Sequence, residues 1–148
     1  MKKFFILFFS FILLASSALA EKLPDVTFTK PITSESHPLW YKYLDDYTNQ
    51  LYNAFDPTKC RRHNGYGMSF MYNIKSDGTI YNLRGLVYKS KIEKYVRNLI
   101  LETTPPPFPK ELEDDNIRVD VYIGYDKYPE KYFKYYGFDN TVNIFLSK

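Results

Sequence analysis

Two histidines, one cysteine and an acidic run have the greatest capacity for chemistry in this chain, and their spacing argues against most of it. His37 and His63 are far apart and have no cysteine or carboxylate at ligand spacing, so they lack the converging donor set that a zinc site needs. Glu111, Glu113, Asp114 and Asp115 carry enough charge to attract calcium, but they lack the ligand spacing of a calcium loop and read as a solvated acidic loop. Cys60 precedes Arg61, Arg62 and His63, cations that would depress the pKa of an exposed thiol. The plainer reading is an unpaired surface thiol in a loop, with a disulfide-linked dimer as the alternative. No serine lies in a nucleophile elbow, and no glycine-rich phosphate loop follows a strand. No carboxylate pair is marked out for glycoside hydrolysis. The sequence therefore predicts no catalytic residue, metal or cofactor. The 15 tyrosines offer another chemistry, because those between Tyr125 and Tyr136 could stack on sugar rings or peptide. Core and rim packing is the simpler role for them.

The first residues read as a leader. Lys2 and Lys3 precede an almost unbroken apolar run over residues 4–14, and Ala18-Leu19-Ala20 supplies the small residues of a signal peptidase site. The pattern predicts cleavage before Glu21, export to the periplasm or beyond, and no stable membrane anchor afterwards. An uncleaved anchor is the alternative reading. Loss of residues 1–20 removes Lys2 and Lys3 and lowers the formal net charge from +3 to +1, which takes away the main support for nucleic-acid binding. What remains suffices for one ordinary domain. With Cys60 alone, no internal disulfide framework exists.

Residues 21–36 carry Pro24 and Pro31, with Pro38 just beyond, show no periodicity and read as an extended arm. Trp40, Leu44, Tyr47, Leu51 and Phe55 then recur on one helical face, and Asp56-Pro57 ends that helix. Met68, Phe70, Tyr72 and Ile74 alternate as a half-buried strand. Ser76-Asp77-Gly78 is a tight turn requiring φ > 0 at Gly78, and Thr79, Ile80, Leu83, Leu86 and Val87 form the returning limb. Phe70 is the leading core candidate of this hairpin. Ser90-Lys91-Ile92-Glu93 has the form of a capping box and opens a second helix with a stripe of Ile92, Val96, Leu99 and Ile100. Between Pro107 and Pro109, Phe108 is expected to anchor a stiff segment against the helices. Ile117, Val119, Val121 and Ile123 form a third strand, residues 126–140 a tyrosine-rich turn region, and residues 141–146 a short final strand.

These elements together resemble the C-terminal domain of the TonB and TolA energy-transducing proteins. Tyr43, Tyr47, Leu51, Phe55 and Pro57 fit the family's first helix, and Phe70, Tyr72, Ile74, Asp77, Gly78, Ile80, Asn82, Arg84 and Leu86 fit its strand pair. Pro107-Phe108-Pro109 matches its Pro-Phe-Pro. The resemblance spans residues 37–126 and leaves a tyrosine-rich extension over residues 127–148. It implies an α+β fold, with a small antiparallel sheet of three to four strands, two helices on one face, and the order α-β-β-α-β plus a C-terminal strand. It also implies an extended peptide bound by β-augmentation along the third strand, where Arg118, Asp120, Tyr122 and Tyr125 would meet the partner. The long proline-rich spacer of the family is missing, and Tyr88-Lys89-Ser90 replaces its Ser-Ser-Gly.

The expected function is thus a periplasmic protein-binding module, accessory to outer-membrane transport or envelope assembly, whose partner is a segment of an envelope protein. A small secreted enzyme or enzyme inhibitor on the same fold is one alternative. A self-associating envelope structural protein is another. The apolar strand at residues 141–146 is further expected to cover the edge of the third strand, within one chain or swapped in a homodimer.

Overall fold

The computed structural model of the protein describes residues 25–60, 68–85, 91–124, 129–137 and 140–148. The leader, the loop carrying Arg61, Arg62 and His63, the capping serine Ser90 and Tyr125 lie outside the described residues. Helix α1 spans Pro38–Ala54, and its proline within the first turn supplies a φ already suited to a helix. Trp40, Tyr43, Leu44, Tyr47, Thr48 and Leu51 form its buried face. Phe55 breaks it with an extended ψ of 120°, and a single 3-10 turn, Pro57–Lys59, follows. Helix α2, Lys91–Glu102, buries the expected stripe of Ile92, Val96, Leu99 and Ile100. The Tyr95 hydroxyl accepts the Asp56 N–H at 2.7 Å, tying α2 to the end of α1.

Strands β1 (Met68–Lys75) and β2 (Ile80–Gly85) form the expected hairpin. Gly78 has φ +84° at its turn, and the Asp77 carboxylate accepts the Thr79 N–H. Strand β3 (Asn116–Gly124) pairs antiparallel with β1 over eight residues, from Met68↔Ile123 to Lys75↔Asn116. Two further strands follow, β4 (Glu130–Tyr136) and β5 (Thr141–Ser147). Together they make a five-stranded mixed sheet in the order β2-β1-β3-β5-β4.

The α+β class holds, whereas the expected antiparallel sheet of three to four strands gains a strand and a parallel pair. β4 precedes β5 in the chain but lies beyond it in the sheet, and β5 runs beside β3 in the same direction. A parallel partner needs a long return, and here the return contains β4 itself.

One face of the sheet buries Phe70, Tyr72, Ile74, Val119, Val121, Val142 and Ile144 beneath both helices. Phe28 and Ile32, from the stretch expected to be an extended arm, join the same core. Phe108 packs edge-on against Trp40 and Tyr43 of α1, with ring centroids at 4.8 and 5.1 Å. The Tyr47 and Tyr72 hydroxyls meet at 2.8 Å in the interior, and burial pushes both phenols above their usual range. Cys60 is buried, which corrects the surface-thiol expectation, and burial raises its pKa to about 11. Such a thiol stays protonated at neutral pH and is a poor nucleophile.

Candidate functional site

The strand expected to offer a free edge lies inside the sheet. β3 is paired on both sides, by β1 and by β5, so its backbone groups are taken. Val142, Ile144 and Leu146 of β5 are buried in the core, and this burial holds the strand in place at about 1.5–3 kcal/mol per side chain. The expectation that residues 141–146 cover that edge therefore holds within one chain. Arg118, Asp120 and Tyr122 do share one face, the one turned away from the helices, but they present side chains there and no open backbone. Phe70 and Gly78 occupy their expected structural positions.

The sheet ends at β2 and β4, and the two edges differ. β2 is irregular: its register slips by one residue between Met71 and Asn73, and Asn82 takes a left-handed φ of 55° opposite that slip. This is a bulge that uses asparagine's tolerance of the left-handed region. Arg97 of α2 also donates to the Leu83 carbonyl at 3.4 Å. β4 is regular, pairing with β5 without a shift from Glu130↔Ser147 to Tyr136↔Thr141. Its other side is a run of backbone donors and acceptors facing no strand among the described residues. Lys131 and Lys134 along it are the charges with which proteins guard such an edge.

Helix α1 runs beside this edge. Phe133 of β4 meets the Tyr41 ring at 5.4 Å, and the Lys131 ammonium donates to the Asn49 side-chain oxygen. Asn49 in turn donates to Asp45 at 3.1 Å. Between helix and strand lies a recess of about 190 Å³, bordered by Ile32, Tyr41, Asp45, Thr48, Asn49 and Phe133. Thr48 borders it, and its hydroxyl is buried with no hydrogen-bond partner among the described residues. A buried hydroxyl without a partner costs about 1–3 kcal/mol, so it marks a place where a ligand group can be bound with gain.

The outward face of the sheet is covered by neither helix. Tyr122, Phe145 and Tyr132 form a transverse aromatic row on it, with centroids at 5.9 and 4.6 Å. Tyr132 and Phe145 stack on each other within 18°, which occupies one face of each ring, while Tyr122 and Tyr132 remain exposed. His37 packs against Phe28 at the start of α1, and no cluster of three potential metal ligands exists among the described residues. No helix among them is long and apolar enough to cross a membrane.

No protein-family model matches this chain. No curated protein and no solved structure is detectably similar to it.

β4 was missed in the sequence because its two faces are chemically alike. Lys131, Phe133 and Tyr135 point to the helix side and Glu130, Tyr132, Lys134 and Tyr136 to the other, so rings and charges occur on both. The period-two signal existed only in the burial of Phe133 and Tyr135 against α1 and Phe28.

Proposed function

We propose that this protein is a binding module that takes an extended segment of another protein as a further strand on β4. One side chain of that segment enters the recess against α1. The single observation that carries this reading is the regular edge of β4, facing no strand among the described residues, beside a recess bordered by Thr48. Main-chain hydrogen bonds along such an edge supply affinity, and alternate side chains supply register. The recess selects a side chain with an apolar body to meet Tyr41, Ile32 and Phe133 and a polar end to bond Thr48.

The leader-like residues 1–20 and the resemblance to TonB and TolA C-terminal domains support a partner in the cell envelope, in outer-membrane transport or envelope assembly. The binding edge differs from the one the resemblance implied, since β5 occupies that position here. Self-association through β4 would set Lys131 and Lys134 of one copy against those of another, which disfavours the structural-protein reading.

The test is capture of partners from an envelope extract with the chain lacking residues 1–20, followed by hydrogen exchange on the purified complex. Slowed exchange in β4, with weakened capture by Thr48→Val and by Lys134→Pro, is the expected result. Slowed exchange confined to β2 or to the outward face would overturn the assignment.

A further inference from the structure

A second recess, of about 180 Å³, opens on the outward face where β2, β1 and β3 lie side by side. It is remote from the β4 edge, and Arg84, Arg118, Asn73, Tyr81, Asn82 and Asp25 line it together with Met71. Its construction follows from the register. Met71 pairs with Arg84 across β1 and β2, and Arg118 of β3 leans onto the Met71 sulfur at 2.7 and 3.2 Å. Arg84 and Arg118 thus line one recess, and the acceptor that Arg118 meets there is a thioether, which is a weak one. Neither arginine forms an ion pair with a carboxylate among the described residues. Asp120, the nearest acid on this face by register, accepts from Ser69 instead.

The one acid of the recess is already committed on one side. Asp25 Oδ1 accepts from the side-chain amides of Asn73 at 2.8 Å and of Asn116 at 2.5 Å, and Tyr81 donates to Asn116 at 2.5 Å. Asp25 Oδ2 has no partner among the described residues. One end of the recess thus holds two guanidinium groups without an ion pair, and the other ends in a fixed acceptor. Guanidinium groups that form no ion pair keep N–H donors that an anion bound between them would engage in charge-assisted hydrogen bonds.

We propose that this recess binds a small oxyanion, a carboxylate or phosphate group on a ligand that also offers an N–H or O–H donor to Asp25. Arg84 and Arg118 hold the oxyanion, and Asp25 rejects anions that have no hydrogen to give. The fit is one of charge and hydrogen-bond pattern and is independent of what binds β4.

Three probes separate the parts of the proposal in NMR titrations of the full chain: inorganic phosphate, N-acetylglycine and sulfate, which carries no donor. Saturable shifts of the Arg84 and Arg118 side-chain resonances with phosphate or N-acetylglycine are expected, with sulfate weaker than either. Whichever of the first two binds more tightly identifies the source of the oxyanion. Arg84→Gln and Arg118→Gln should each weaken binding about tenfold, and Lys134→Gln on the same face should not. Asp25→Asn should tighten sulfate while weakening N-acetylglycine. Absence of saturable shifts, or equal loss with Lys134→Gln, would overturn the site. Asp25→Asn acting alike on sulfate and N-acetylglycine would overturn the role of Asp25.

Discussion

Replacing Gly78 with alanine is expected to destabilise the protein by about 2–5 kcal/mol, the sum of a conformational and a steric term. The conformational term comes from φ +84°, where a β-carbon costs about 1–2 kcal/mol. The steric term comes from the neighbour. A β-carbon on Gly78 would stand 2.4 Å from the Pro105 carbonyl oxygen and 3.3 Å from the Pro106 carbonyl carbon. That proline segment has little room to retreat. Phe108 donates its N–H to Ser76, Ser76 donates to Asp115, and the Tyr43 hydroxyl donates to Pro106. Forcing atoms into such a site costs about 1–3 kcal/mol. Chemical denaturation should therefore show a lower midpoint at an unchanged slope. Gly78→Asn separates the two terms, because asparagine tolerates the left-handed region but still carries the clashing β-carbon. An alanine variant within about 0.5 kcal/mol of the native protein, the ordinary range for surface substitutions, would refute both the turn geometry and the close approach.

Tyr72→Phe should cost about 1–3 kcal/mol by leaving the Tyr47 hydroxyl without its partner, while Tyr47→Phe combined with Tyr72→Phe should recover most of that loss; a double-mutant cycle measures the coupling. Cys60 binds its proton more tightly in the folded state, so its contribution to stability is complete below its ordinary value of 9.0 and is lost as pH rises towards about 11. Denaturation curves of native protein and Cys60→Ala should accordingly diverge across that interval, with native protein losing stability faster. Truncation after Lys127 removes the buried Val142, Ile144 and Leu146 and bares the side of β3 that β5 covers. Size-exclusion chromatography should show unfolded or self-associated chain, and a stable monomer would contradict the sheet order.

The hairpin was legible because alternation, turn chemistry and burial all agree. Met68 to Ile74 alternate, Asp77-Gly78 supplies the turn, and the structure places all of them as expected. α2 was legible for the same reason, its stripe being sharply amphipathic. The direction of β5 was not, because a strand's own residues do not say whether its partner runs parallel or antiparallel to it. Burial of Cys60 was hidden too, since its neighbours in sequence, Thr58, Lys59, Arg61 and Arg62, are polar or charged. The bulge at Asn82 left only a faint trace, an asparagine within an otherwise β-forming run. Neither recess could be read from sequence. Thr48 and Phe133, or Asp25 and Arg118, come together only through the order of the strands.

Because β5 inserts between β3 and β4, β4 has no lateral partner until β5 arrives, while β5 alone would seat with one side bare. The two are therefore expected to dock as a preformed hairpin, after β2, β1 and β3 have assembled from contacts closer in sequence. Native-state hydrogen exchange should then show β4 and β5 opening together, at lower free energy than β1 and β3. The half of the sheet that carries the proposed binding edge would be the last to form and the first to loosen. A partner seated on β4 would bind a unit that is in equilibrium with its own undocking, and would stabilise it by mass action.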